Sequence, residues 1–296
     1  MTKSKIVELY GYYTGDSTLD WPRIVDEQID KYTAKRSTKS RKSNPEQTIG
    51  TTVVRYGKES RPLIIDPTRF YENGQVFMDC MHLLTNHEPG NTLYLVPEVP
   101  IPGGHVDFVL VSMKDNRIQD FVGIELQALD TTGTVWPERQ KFLQEQDLLN
   151  SNEVIGTAKF GINWKMTAKT IMVQLHHKVK TFEHLNKHFV LIAQDALIDY
   201  IKENFDLSAF HTARLGDSMQ FHSYKYQIDD NDKKTTLQLS SRISTDSIGL
   251  GQALGLNANA EVELQDMIDV LMSKISGETL FRPMSLIPGH RPIVHY

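Results

Sequence analysis

Residues 103–130 read GGHVDFVLVSMKDNRIQDFVGIELQALD, and the way this stretch folds decides the class of the whole chain. Two runs rich in Val, Phe, Leu and Ile, HVDFVLVSM and IQDFVGIELQALD, flank the polar tetrapeptide KDNR. That pattern predicts two β-strands joined by a turn. A turn centred on Asn116 sets Val109 opposite Gly123 and Asp107 opposite Glu125, at cross-strand contact distance. Glu125 and Gln127 share one strand face by the two-residue period, so three polar groups converge among runs of Val, Phe, Leu and Ile.

Two carboxylates facing each other in a partly buried place repel unless a proton or a cation lies between them. A divalent ion would let both keep their charge, and oxygen donors without a cysteine favour magnesium or manganese over zinc. Two readings of the hairpin stand at this point. Either Asp107 and Glu125 are polar residues on a solvated strand face, or the two strands hold an acidic site.

Outward from the hairpin, Ile171, Leu175, Val179, Phe182 and Leu185 fall at helical spacing and predict a long amphipathic helix. HFVLIAQ then reads as a buried strand, and DALIDYIKENF as a helix with Asp195 as its N-cap. The order strand, strand, helix, strand, helix predicts an α/β fold, a mixed sheet covered by helices. Before the hairpin, Val76, Phe77, Cys80, Leu83 and Leu84 predict a helix from about 74 to 85. After these elements, SMQFHSYKYQIDD and KTTLQLSSRISTD read as strands, GLGQALG as a connection, AEVELQDMIDVLMSKIS as an amphipathic helix, and LFRPMSLIPGHRPIVHY as a Pro-rich tail. Near the N-terminus, Asp20 or Thr18 is placed to cap a short helix entered by Pro22.

The chain of 296 residues carries a formal net charge of −5 and is 40% hydrophobic, enough for a sizeable core. A nucleic-acid surface would therefore be local. The clearest candidate is KYTAKRSTKSRKSNPEQ, whose Lys35, Arg36, Lys39, Arg41 and Lys42 precede any acidic residue. Its polar composition predicts a loop or flexible arm, equally a solvated linker or a contact to DNA phosphates. The single cysteine, Cys80, excludes an intramolecular disulfide and a cysteine-rich metal module and fits a reducing, cytoplasmic setting. No segment approaches the ~20 apolar residues of a membrane span. His176, His177, His184 and His188 lack the ligand spacing of a zinc site.

The hairpin resembles the active-site hairpin of the PD-(D/E)xK nuclease superfamily. GINWKMTAKTIMVQLHHKVK and KHFVLIAQDALIDYI resemble its continuation in the NotI-like type II restriction endonucleases, a similarity spanning about residues 95–205. The resemblance implies a restriction-endonuclease-like mixed β-sheet core flanked by helices, with N-terminal and C-terminal elaborations. Residues 1–296 would form one nuclease domain, its catalytic core at about 74–205 and DNA-recognition elaborations at 1–73 and 206–296. It also implies that Asp107 and Glu125 bind a divalent ion, Mg2+ with Mn2+ as a substitute. Gln127 occupies the third motif position, where much of the superfamily has lysine and NotI-like enzymes have glutamine. Val106 stands where the motif's proline would be. A cysteine-ligated iron module, as in the family's namesake, cannot be built from Cys80 alone.

The activity so implied is hydrolysis of phosphodiester bonds at a specific site in duplex DNA by a homodimer, functionally paired with a DNA methyltransferase. Lys165, opening the WKMTAK stretch, is a candidate catalytic cation or else a solvated lysine. Glu98, in LVPEVP, is a candidate third metal-binding carboxylate or an ordinary turn glutamate. Gln174 and Lys178, one helical turn apart, are candidates for DNA contact or for surface solubility. The competing readings are a catalytically degenerate DNA-binding protein with a nuclease-like fold and a DNA repair nuclease.

Overall fold

The structure is a computed structural model and describes residues 3–41, 44–149, 153–256 and 264–274. The described residues up to 256 form one compact unit, and 264–274 belong to a second. In the first, β1 (Ile6–Leu9) and β2 (Tyr12–Tyr13) precede α1 (Trp21–Glu27), β3 (Ile29–Asp30), β4 (Lys35–Arg36), β5 (Ser40–Arg41), β6 (Asn44–Thr48), β7 (Thr51–Tyr56) and β8 (Arg61–Ile64). A 3-10 helix, Pro67–Gly74, leads into α2 (Gln75–Met78), followed by β9 (Thr92–Ile101), β10 (Gly104–Lys114), β11 (Arg117–Gln127), β12 (Thr131–Gly133) and α3 (Trp136–Glu145). Then come β13 (Phe160–Ile162), α4 (Trp164–His184), β14 (His188–Gln194), α5 (Asp195–Asn204), β15 (His211–Thr212), β16 (Met219–Asp229), β17 (Lys234–Thr245) and α6 (Ser247–Ala253). The second unit contributes α7 (Leu264–Lys274).

The central sheet has seven strands in the order β15-β17-β16-β14-β11-β10-β9. β9, β10 and β11 are an antiparallel meander, β11, β14 and β16 run parallel, and β17 returns antiparallel to β16. This is the α/β mixed sheet that the element order predicts. The sheet does not stop at residue 205, since β16 and β17 are integral to it. α4, α5 and α6 cover one face through Ile171, Leu175, Val179, Leu197, Ile201 and Leu250. The opposite face packs on the four-stranded sheet β2-β1-β7-β8 and the segment 70–84, through Val7, Val53, Ile64, Phe70, Phe77 and Leu83. Gln194 pins the layers together, its amide accepting from the Ile64 N–H and donating to the Pro62 carbonyl at 2.9 and 2.8 Å.

The register expected of the hairpin holds, by a route the sequence does not display. The loop is the dipeptide Asp115–Asn116, both with positive φ, as a type I′ hairpin turn requires. This sets Lys114 opposite Arg117 and Met113 opposite Ile118. A bulge at Gln119 then restores the expected pairs, from Ser112↔Asp120 through Val109↔Gly123 to Phe108↔Ile124.

Gly123 fits the hairpin under α4. A Cβ there would lie 2.2 Å from Phe182 Cζ and 2.9 Å from Phe189 Cδ2, and those two rings are stacked at 4.8 Å. Gly123→Ala is expected to destabilise by about 1–3 kcal/mol through overpacking. A urea-denaturation midpoint equal to wild type would contradict this.

Three local expectations need correction. The helix predicted at 74–85 is the four-residue α2 followed by a 3-10 turn at Met81–Leu83, although all five stripe residues are buried. GLGQALG is largely helix α6, because Asp246 caps it by accepting from the Gly249 N–H. The described part of the basic segment, residues 31–41, contributes β4 and β5 to two short strand pairs, β3–β4 and β5–β6, in place of a flexible arm. Lys42, the start of the helix expected from residue 260, and the Pro-rich tail lie outside the described residues.

Candidate active site

The ladder between β10 and β11 is registered down to Phe108↔Ile124. One step further towards the open end, Asp107 and Glu125 occupy the corresponding positions. The Asp107 carboxylate crosses to the neighbouring strand and accepts the Leu126 N–H at 2.9 Å. Val109, Val111 and the odd-numbered positions of β11 face α4, which directs Glu125 to that helix. There Glu125 Oε1 accepts from Lys178 Nζ at 2.6 Å, while Glu125 Oε2 is buried with no hydrogen-bond partner.

Lys178 is 6% exposed, and so is Glu125. Surface solubility, one of the two readings of Lys178, is therefore excluded by its burial. Lys178 follows Leu175 by three and precedes Phe182 by four, so it sits on the stripe, while Gln174 is exposed. A lysine three residues from one stripe position and four from the next was the signal that could have identified it.

Desolvation dominates the electrostatics. Burial raises the Asp107 pKa, aided by the charge of Glu98 and opposed by the Leu126 N–H and Lys178. Burial pushes the Glu125 carboxyl up to about 7, with Asp107 adding to the shift and Lys178 opposing it. A carboxyl whose pKa rises on folding stabilises the protein fully below its unfolded pKa, and that contribution is lost as pH rises through the folded value. Between about pH 4.5 and 7, the metal-free protein is expected to lose stability that Glu125→Gln retains. Denaturant titrations at pH 5 and 7.5 check this, and identical pH dependence in the two proteins would refute it.

The other sequence candidates are placed as follows. Gln127 is half-buried, its amide donating to the Ala128 carbonyl at 2.6 Å. Glu98 lies on β9 at the gap between the pairs Val106↔Val99 and Phe108↔Pro97, which is the level of Asp107. It is exposed and has a φ of 51°, a left-handed conformation uncommon outside glycine. Among the described residues, no group of three or more His, Cys, Asp or Glu side chains is arranged to hold a metal ion, so Glu98 does not complete a triad.

Lys165 is exposed in the first turn of α4, and the thirteen residues to Lys178 span about 20 Å of helix. It does not meet the carboxylates. Lys35 and Arg36 are exposed on β4, Arg36 donating to the Glu46 carbonyl. Lys39 donates to the Ile65 carbonyl at 3.2 Å and pairs with Asp66 at 3.5 Å. Arg41 is on β5, its side chain outside the described residues. Tyr71 was not anticipated at all. It packs edge-on against Phe108, and burial together with the charges of Asp107, Asp66 and Glu98 raises its pKa. Tyr71 thus stands beside Phe108, the neighbour of Asp107 on β10.

Among the described residues, no helix is long and apolar enough to cross a membrane. No curated protein matches the chain. The family described as restriction endonuclease NotI matches residues 43–204, more than half of the chain and the whole of the hairpin, α4 and β14. With that match on the same strands that bring Asp107 and Glu125 together, the chain belongs to the NotI restriction endonuclease family, whose members are type II endodeoxyribonucleases.

Proposed function

We propose that this protein is a magnesium-dependent type II restriction endonuclease that hydrolyses both strands of duplex DNA at a specific site. The observation that carries the proposal is the pairing of Asp107 and Glu125 at the open end of β10 and β11, with one buried Glu125 oxygen left unpartnered. Buried polar atoms are normally satisfied, and a carboxylate oxygen without a donor is a ligand atom in waiting.

The donor set fits the ion. Magnesium is held by one or two carboxylates together with water and substrate phosphate, so two acidic residues without a third suffice. Asp107 and Glu125 would hold it, and manganese, with the same preference for oxygen, would substitute. When bound, the ion lowers the pKa of the attacking water and offsets charge on the phosphate.

The chain's own groups set the geometry. The Leu126 N–H fixes Asp107, and α4 fixes Glu125. Gln127, two residues along the same strand face, has a carbonyl oxygen free to accept from a water. In the reaction, the water oxygen bonds to phosphorus, one ester P–O bond breaks, and the proton released by the water is balanced by protonation of the departing alkoxide. Lys35, Arg36, Lys39 and Arg41 would meet backbone phosphates, positioning the duplex without reading its sequence. A palindromic site would call for a two-fold homodimer, and a methyltransferase protecting that site would accompany the enzyme in the cytoplasm.

Incubation of supercoiled and linear DNA with and without Mg2+, followed by mapping of the ends, tests the proposal. A repeated discrete cut, absent without Mg2+ and lost in Glu125→Ala, is expected. Folded, DNA-binding protein that cuts nothing across a broad sequence library would sink it.

A further inference from the structure

We propose that Lys178 delivers, from helix α4, the positive charge that β11 lacks at Gln127, and that it contacts the reacting phosphate as a catalytic residue. The inference rests on the nuclease reading above.

Gln127 cannot carry charge, and its amide is bound to the backbone carbonyl of its neighbour. Lys165 is too far along the helix. Among the described ion pairs, the cation that meets Asp107 or Glu125 is Lys178, on Glu125 at 2.6 Å, and its charge also reaches Asp107. Its position is built. The turn between β9 and β10 docks on α4, with the Thr181 hydroxyl donating to the Pro102 carbonyl at 3.2 Å. A Cβ on Gly103 would stand 3.2 Å from the His177 carbonyl oxygen, and one on Gly104 would stand 3.8 Å from Lys178 Cε. The two glycines, both with positive φ, bring this backbone close to the helix where the lysine crosses to Glu125.

Stability does not account for this lysine. It interrupts a stripe formed by Leu175, Val179 and Phe182, where a methionine would pack without desolvation cost. Replacing a whole buried ion pair by apolar residues is often neutral or stabilising. A charge retained in such a place, beside a carboxylate with an unsatisfied oxygen, points to chemistry. The ammonium has three donors, of which Glu125 takes one. A second, directed to a non-bridging phosphate oxygen, opposes the charge that grows as water adds to phosphorus. Lys178 neither takes nor gives the proton of the water, which leaves on the departing alkoxide.

The test uses the full chain with Lys178→Met, Lys178→Met/Gln127→Lys and Asp107→Asn. Lys178→Met is expected to cleave ~100-fold or more slowly, the scale of one lost transition-state donor. In Ca2+ without turnover, its DNA affinity should depend less on salt, the logarithmic slope falling by about 0.9 for one phosphate contact. Returning a lysine at 127 should recover at least about tenfold of the rate, because it restores the charge on the same strand face. Wild-type cleavage by Lys178→Met would overturn the proposal. So would slow cleavage with an unchanged salt slope and no recovery in the double variant. If Lys178→Met does not fold, the double variant decides alone: folded and active supports the proposal, while folded and inert, or unfolded, overturns it. Wild-type cleavage by Asp107→Asn would instead discard the carboxylate site itself.

Discussion

Asp107→Asn is expected to reduce single-turnover DNA cleavage by at least about 1000-fold while leaving the protein folded and able to bind DNA. Asparagine preserves the shape of the side chain and an oxygen that can accept the Leu126 N–H, now taken at 2.9 Å. What it removes is one of the two negative charges that would hold the divalent ion. Losing several kcal/mol of transition-state charge stabilisation corresponds to a rate loss of this size. Folding should not suffer, because Asp107 is partly desolvated and its charge repels Glu125. Neutralising it should also lower the Glu125 pKa, so that the loss of metal-free stability with rising pH is completed at a lower pH. Single-turnover kinetics, gel shift in Ca2+ and denaturation at several pH values measure the three effects. Cleavage within tenfold of wild type would remove Asp107 from the reaction.

The hairpin was legible because its signals are local. Alternation, a polar turn and the Asp107–Glu125 pair lie within one stretch of sequence, and an error of half a residue in the turn was cancelled by the bulge at Gln119. Non-local partners were not legible. β16 and β17 read as strands, yet nothing in their own residues shows that β16 pairs in parallel with β14. Helix α3 escaped notice because Glu138, Arg139 and Gln140 are among its buried residues, so no apolar stripe marks it. The Lys5 N–H donates to Glu138 at 2.9 Å, and Arg139 donates to the Tyr10 hydroxyl at 3.1 Å, both partners flanking β1, far away in the chain. Lys178 was misjudged for a related reason. Its charge suggested water, whereas its spacing put it in the core, and its carboxylate partner lies on another element.

Arg69→Met is expected to produce the largest loss of stability, about 3–5 kcal/mol, because it breaks a buried ion network by removing one member. Arg69 in the 3-10 helix and Glu8 on β1 are both fully buried, with Nε 3.0 Å from Oε1. The guanidinium also reaches Glu72 at 2.9 Å and lies over the rings of Tyr32 and Tyr226. Glu8 Oε1 further accepts from the hydroxyls of Tyr226 on β16 and Thr235 on β17, at 2.8 and 2.6 Å. One carboxylate thus ties the N-terminal sheet to the far side of the central sheet. Burial pushes its pKa up, and Arg69 is the strongest influence holding it down. Without the guanidinium, Glu8 must take up a proton or stay charged among hydroxyls that cannot neutralise it. For a domain of this size the loss corresponds to a Tm drop of roughly 10 °C. Adding Glu8→Gln should return much of it, since the double variant leaves no buried charge at that position. A drop below about 1 kcal/mol in Arg69→Met, or no recovery in the double variant, would show that the two sheets are joined by apolar contacts alone. The expected result instead makes this network the clamp that holds the N-terminal sheet against β16 and β17 of the central sheet.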